Sequence, residues 1–176
     1  LTESARVLHA RGDFDSAQAA IAKYNEVLRC WQSVSAHREV AETLRSMGDI
    51  YFETSQYDSA RDAHQRALNE SNSTGDLRGR ILSLIAIGMI EGEVDRTDES
   101  LSRTHEAQAL EAQVQDPYLR AQILCNYIFA HDNSDDSARA AKEADTAVAL
   151  GEKLNDPNIY GRTLLLAGIV KHNASQ

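Results

Sequence analysis

Apolar residues recur at three- and four-residue steps along most of the chain, and short polar stretches separate the apolar runs. One apolar stripe lies between Val40 and Tyr51, a second begins at Tyr57, and residues 54–56 form a polar turn between them. This spacing places the apolar side chains on one face of a helix. It predicts nine helices, near 2–12, 15–34, 38–53, 57–73, 78–93, 97–114, 117–131, 135–154 and 157–172.

The helices repeat in pairs with a period of 40 residues. Three kinds of residue recur at this spacing: Leu44, Leu84, Leu124 and Leu164; Asp76, Asp116 and Asp156; and Gly48, Gly88 and Gly168, with Ile128 in the remaining place of the glycine column. One helix pair cannot bury its apolar faces alone, so the pairs must stack on one another. The sequence therefore predicts an all-α fold, an α-solenoid of antiparallel helix pairs with about nine helices.

The same period divides the chain into units. We expect a single domain over 1–176, with units at about 1–40, 41–80, 81–120 and 121–160 and a last helix at 161–172. Asp116 and Asp156 are each followed by proline, which is typical of an N-cap residue and the first helical position. Because the chain begins with Leu1 rather than methionine, we expect it to be a fragment of a longer protein.

Small residues occupy fixed positions in the second helix of each pair. One such column holds Ala20, Ala60, Ser100 and Ala140, and another holds Ala67, Ala107 and Ala147. Small side chains let two helices approach closely, so these columns mark helix crossings. His64 shares its column with Tyr24, Thr104 and Ala144, which indicates a packing position rather than a metal ligand.

The second unit carries the residues that define a known helical repeat, namely Leu44, Met47, Gly48, Tyr51, Tyr57, Ala60 and Ala67. At these offsets they resemble the tetratricopeptide repeat, whose usual unit is about 34 residues. The 40-residue variant is similar to the repeats of kinesin light chain, of bacterial regulators and of the arms that precede caspase-like CHAT peptidase domains. The stretches 20–31 and 38–52 resemble the CHAT arms most. The resemblance implies a superhelix that acts as a protein-binding scaffold.

The resemblance also implies where a partner binds, because the first helix of each tetratricopeptide pair lines the concave groove. The corresponding positions here are Arg45, Asp49, Phe52, Leu82, Ile85, Met89, Gln122, Cys125, Phe129, Leu165 and Ile169. The side chains at these positions change from charged to apolar along the chain, which favours the apolar face of a helical or extended peptide. The carboxylate clamp of chaperone-binding repeats needs Lys and Asn at groove positions. Here Arg45 occupies a groove position and Asn126 lies one step off the groove face, so this clamp is disfavoured.

Two alternatives to an open groove stay possible on the sequence alone. A missing continuation of the chain, or self-association, could cover the apolar stripe. The fragment could also be the regulatory arm of a larger CHAT-like peptidase or signalling protein, in which case the groove contacts a missing domain. The sequence beyond Gln176 would separate these possibilities.

Net charge and cysteine content narrow the classes of partner. The 27 acidic and 18 basic side chains give a net charge of -9, which disfavours nucleic acid and anionic lipid. No apolar run approaches the roughly 20 residues of a membrane helix. Cys30 and Cys125 are too few for a disulfide framework, so we expect buried thiols and a cytoplasmic location.

No set of side chains in the sequence predicts catalysis, a metal or a cofactor. None of the six histidines pairs with another at the four-residue spacing that binds zinc on a helix. Residues 132–136 resemble a calcium loop only faintly, because Ser137 stands where that loop needs glycine. Cys125 has no histidine in the same turn to activate it. We therefore expect a non-enzymatic chain.

Overall fold

The computed structural model describes residues 2–10, 13–132 and 137–173, and every regular element in these ranges is an α-helix. The helices are α1 (Thr2–His9), α2 (Phe14–Ser33), α3 (His37–Glu53), α4 (Tyr57–Thr74), α5 (Leu77–Glu93), α6 (Thr97–Val114), α7 (Pro117–Asp132), α8 (Ser137–Leu154) and α9 (Pro157–Asn173). The all-α prediction is confirmed. The predicted end of the first helix at 12, the predicted start of the eighth at 135, and the segment compared with a calcium loop after Asp132 lie outside the described residues.

Aspartates begin three of the helices, as the sequence predicts. Asp76, Asp116 and Asp156 each accept a hydrogen bond from a backbone N–H two or three residues later, at 3.0, 2.9 and 2.9 Å respectively. These bonds satisfy N–H groups that have no partner within the helix. The N-cap role of the aspartate column is therefore confirmed.

Residues with positive φ follow the helix ends at the same spacing. Ser35, Gly75, Gln115 and Asn155 have φ of 53°, 68°, 54° and 52°, and a second series in the turns within pairs holds Ser55 and Asp95 at 58° and 59°. A left-handed residue commonly ends a helix, although glycine or asparagine usually occupies the position. The backbone geometry thus follows the 40-residue spacing of the sequence columns.

The chain forms two compact units, Leu1–Ala86 and Ile87–Gln176. In the first, α1 packs against α2, α2 against α3, and α3 against α4. Large apolar side chains of these helices surround small ones. The cluster consists of Ala5, Ala20, Ile21, Tyr24, Leu28, Val40, Leu44, Met47, Ile50 and Ala67. The predicted unit boundaries at every fortieth residue stay predictions.

The second unit has its own core. Helix α6 packs against α7, α7 against α8, and both α7 and α8 against α9. Its core cluster consists of Leu124, Cys125, Ile128, Ala140, Ala144, Ala147, Leu166, Ala167 and Val170. Cys125 is buried as predicted. Cys30 lies exposed on the last turn of α2, so the prediction of two buried thiols is wrong at that residue.

In the first unit, α3 and α4 fit together through a glycine and a histidine. The imidazole of His64 lies directly against the backbone of Gly48, because a Cβ atom placed on that glycine would be 2.5 Å from Nε2 of His64. His64 itself is buried. Its predicted role as a packing residue is confirmed, and Gly48 supplies the space for the ring.

At the corresponding positions of the second unit, large and small side chains are distributed differently between the facing helices. A Cβ atom on Gly88 would lie 3.4 Å from the hydroxyl oxygen of Thr104 on α6. On α7 and α8 the bulky member is Ile128 and the small one is Ala144, and both belong to the same core cluster. A large residue at one position is thus paired with a smaller residue at the facing position, so the interior stays filled.

Candidate functional site

The groove face is defined here as the predicted positions on α3, α5, α7 and α9. In the first unit it starts with Arg45, a half-buried residue whose Nη1 donates to Ser71 Oγ at 3.4 Å. Burial lowers the pKa of the Arg45 guanidinium, and the nearby carboxylates, Asp76 first, oppose this change. The guanidinium therefore lies close to carboxylates and does not project freely into solvent.

Asp49 lies one turn further along α3, with its Oδ1 3.5 Å from Nε2 of His64. Desolvation and the neighbouring Glu53 carboxylate raise the pKa of Asp49 to about 6, and its 58% exposed side chain means that water screens part of this effect. Burial, followed by the charge of Arg45, lowers the pKa of His64 to about 4. His64 is therefore a neutral ring at pH 7 and no cationic ligand for a carboxylate.

A polar pocket of about 390 Å³ lies beside Asp49, between α1 and α3. It is lined by Arg6, His9, Ala10, Tyr24, Ser46, Asp49 and Glu53. His9 Nε2 lies 2.7 Å from Glu53 Oε2. Sequence reasoning missed this contact because it joins residues 44 positions apart that share no repeat column. The pocket lining includes the carboxylates of Asp49 and Glu53 and the side chain of Arg6.

The remaining groove positions of the first unit differ in accessibility. Phe52 is half-buried, and its ring centroid lies 5.8 Å from that of Tyr57. Leu82 is half-buried, whereas Ile85 is buried. Ile85 therefore offers little surface to a ligand.

In the second unit the groove face includes large exposed apolar side chains. Leu165 and Ile169 of α9 are 65% and 39% exposed. Met89, Gln122 and Phe129 are half-buried. Apolar side chains this open to water on one helix are unusual unless another surface covers them.

Cys125 is fully buried although it occupies a groove position. Burial raises the pKa of its thiol, and the charge of Arg162 opposes that rise. A thiol with a raised pKa is a poor nucleophile at neutral pH. Its contribution is to the core of the second unit.

Arg162 joins the helices that carry these apolar side chains. Its Nη2 donates to Met89 Sδ at 3.2 Å and to Asn126 Oδ1 at 3.5 Å, so it connects α9 with α5 and α7. The ring of Phe129 lies against Gly92, where an added Cβ atom would be 2.7 Å from Cε1. These contacts link α5, α7 and α9, and Asn126 takes part in them although it lies outside the predicted groove positions.

Within ranges 2–10, 13–132 and 137–173, no group of three or more His, Cys, Asp or Glu side chains could hold a metal ion. No described helix is both long and apolar enough to cross a membrane. The expected absence of catalytic residues and cofactors stays a prediction.

Residues 1–69 match the tetratricopeptide repeat family profile. The match covers the first three helices and most of α4. The crystal structure of BtubC (BKLC) from P. vanneervenii is similar over 98% of this chain and 81% of its own, with a TM-score of 0.67 and 15% sequence identity. At that identity the likeness shows the fold alone, and it confirms the all-α, tetratricopeptide-like fold class. A comparison with curated proteins finds no match.

The family match indicates a general role for the matched part of the chain. Tetratricopeptide repeats are protein–protein interaction scaffolds and are typically not catalytic. In that repeat frame, the predicted groove positions fall on the first helix of each pair. Which groove residues contact a partner stays a prediction.

Proposed function

We propose that the chain binds a helical or extended segment of a partner protein on the groove face of its second unit. The observation that carries the proposal is the exposure of Leu165 and Ile169 on α9. Both residues stand at positions that the tetratricopeptide frame predicts to face the groove. Burying such side chains under a partner would stabilise the complex by roughly 25 cal/mol per Å² of apolar surface.

Neighbouring residues suit an apolar helix face. Met89 offers a flexible thioether that adapts to different side chains. Phe129 is an aromatic residue fixed against Gly92, and a rigid aromatic side chain is a common source of binding energy. Arg162, held by Met89 and Asn126, supplies polar contacts beside the apolar residues. The buried Ile85 and Cys125 would support this surface from within rather than contact the partner.

Affinity for an identified partner tests the proposal. The double variant Met89→Asp, Phe129→Asp places two charges on the groove face and is expected to weaken binding about tenfold or more, since buried unpaired charges are costly. Isothermal titration calorimetry measures the affinity, and circular dichroism checks that the helices remain. A folded double variant that binds as tightly as the unmodified chain would refute the proposed site.

A matched control tests whether added negative charge alone weakens the binding of the partner. Ala109 and Ala112 are exposed on α6, outside the groove positions. The variant Ala109→Asp, Ala112→Asp adds the same charge and should leave the affinity unchanged. Equal weakening in both double variants would also count against the groove face.

The regulatory-arm hypothesis stays a prediction that no feature of the described residues favours. It requires a caspase-like domain bearing His and Cys in the full gene product. Sequencing the gene beyond the codon for Gln176 tests it, and the lack of such a domain would remove it.

A further inference from the structure

Two carboxylates, Asp49 and Glu53, line the α3 side of the polar pocket between α1 and α3. They lie one turn apart in the helix and therefore share one face of it. The pocket volume of about 390 Å³ falls in the range of about 300–1,000 Å³ that is usual for binding pockets. The Asp49 side chain is 58% exposed, so a ligand that enters from solvent can reach its carboxylate.

The groups packed around Asp49 do not neutralise it. His64 of α4 has Nε2 3.5 Å from Asp49 Oδ1, but this ring is buried and uncharged at pH 7. The Arg45 guanidinium interacts with two other carboxylates more strongly than with Asp49. Burial, followed by the charge of Glu53, raises the pKa of Asp49 to about 6, so its carboxylate is still mostly charged at pH 7. Among the described residues, no lysine or arginine forms an ion pair with this partly desolvated anion.

Helix α1 contributes two basic side chains to the other side of the pocket. His9 Nε2 lies 2.7 Å from Glu53 Oε2, so this imidazole contacts Glu53. Arg6 is exposed, and within the described ranges no carboxylate pairs with it. Tyr24 and Ser46 add hydroxyl-bearing side chains to the lining. The charge of Arg6 would repel a cation in the pocket, so its removal should favour one.

We propose that this pocket binds the ammonium or guanidinium group of a lysine or arginine side chain of a partner protein, with Asp49 as its main contact. A charge-assisted hydrogen bond to a carboxylate is stronger than one between neutral groups. The aliphatic stem of the incoming side chain would pack on Ala10 and on the ring of Tyr24, which also line the pocket.

The location of the pocket favours a protein as the carrier of this cation. Its lining residues all fall within residues 1–69, which match the tetratricopeptide repeat family, and repeats of this family are protein–protein interaction scaffolds. The net charge of -9 also favours a basic partner. The inference is independent of the proposed function, whose contact residues all lie in the second unit. Either can therefore fail alone.

Capped amino acids that present one side chain are the probes. N-acetyl-arginine methylamide and N-acetyl-lysine methylamide carry the cation, whereas N-acetyl-norleucine methylamide carries a similar stem without it. Proton–nitrogen NMR correlation spectra of the intact chain follow each titration. For the cationic probes we expect saturable shifts at the amides of Ser46, Asp49 and Glu53, with a dissociation constant on the order of 1–10 mM. Absence of saturation with both cationic probes, or equal binding of the norleucine probe, would overturn the proposal.

Three variants test the assignment to Asp49. Asp49→Asn keeps the shape of the side chain and should weaken both cationic probes about fivefold or more, whereas Arg6→Gln should strengthen them about twofold. Asp15→Asn, at an exposed position of α2 outside the pocket, removes the same charge and should change nothing. Unchanged affinity in Asp49→Asn, equal weakening in Asp15→Asn, or weakening in Arg6→Gln would each overturn the proposal.

A free amine is the alternative source of the same chemistry, and putrescine represents it. We expect putrescine to bind no more tightly than the capped lysine and arginine. Putrescine that binds about tenfold more tightly at the same amides would assign the pocket to a free amine and overturn the proposal of a protein partner.

Discussion

Replacing Leu44 with alanine is expected to lower the free energy of unfolding by about 2–5 kcal/mol. Leu44 is almost fully buried in the core of the first unit, where it packs with Ile21, Tyr24 and Met47. Truncation removes buried methyl groups and leaves a cavity that the surrounding helices cannot fill completely. Urea denaturation followed by circular dichroism measures the change.

Leu164→Ala is the matched control, because it makes the same substitution in the same repeat column. Its side chain is already 46% exposed, so we expect a change within about 0.5 kcal/mol. Equal losses in the two variants would show that α9 is covered in the isolated chain. A negligible loss in Leu44→Ala would contradict the register of the whole column.

Gly48→Ala is expected to destabilise the chain by about 1–3 kcal/mol, the usual effect of adding a methyl group to a filled interior. The new Cβ atom would lie 2.5 Å from Nε2 of His64, whose ring is buried. The effect opposes helix propensity, since alanine favours helix over glycine by about 1 kcal/mol. Thermal and urea denaturation should both detect the loss.

Two further variants identify the cause of that loss. Gly168→Ala lies in the same column but meets nothing within 4 Å, so we expect it to stabilise the chain by up to about 1 kcal/mol. In a Gly48→Ala, His64→Ala double variant, removal of the ring should make the alanine at 48 less harmful than it is alone. Additive effects of the two substitutions would mean that the ring and the glycine are not in contact.

Most of the fold could be predicted because its signals are local and repeated. The aspartate column places the starts of α5, α7 and α9, and the backbone N–H hydrogen bonds accepted by Asp76, Asp116 and Asp156 confirm it. Apolar spacing identifies the buried face clearly on α3, where Val40, Leu44 and Met47 are buried. Neither signal needs knowledge of distant contacts, so the helix bounds agree closely within the described residues.

The accessibility of individual groove positions could not be predicted in the same way. The period gives the direction of a side chain around its helix, but not how far neighbouring side chains extend over it. Arg45 is half-buried, whereas Ile85 and Cys125, which are shorter and stand at the same repeat position, are buried. The exposure of Leu164 could not be predicted either, because it depends on whether a neighbouring helix packs over this residue and not on its repeat position.

The polar contacts of the candidate site could not be predicted from the sequence either. His9 and Glu53 meet between α1 and α3, and Arg162 reaches Met89 across 73 residues. Such contacts depend on how the helices of one unit are placed, and no repeat column records them. Arg162 shares its repeat column with Leu82 and Gln122, so the sequence predicts it on the groove face but does not predict its contact with Met89, and Asn126 lies one position from that face.

The most direct test of the proposed function compares two adjacent residues of α9. The affinity of an isolated protein partner is measured for Leu165→Asp, at a predicted groove position, and for Leu164→Asp, at the adjacent position in the leucine column. Both side chains are exposed, so neither variant should disturb the core. We predict that Leu165→Asp weakens binding about tenfold or more while Leu164→Asp leaves it unchanged. Unchanged affinity in Leu165→Asp would contradict the assignment of the groove face as the binding surface.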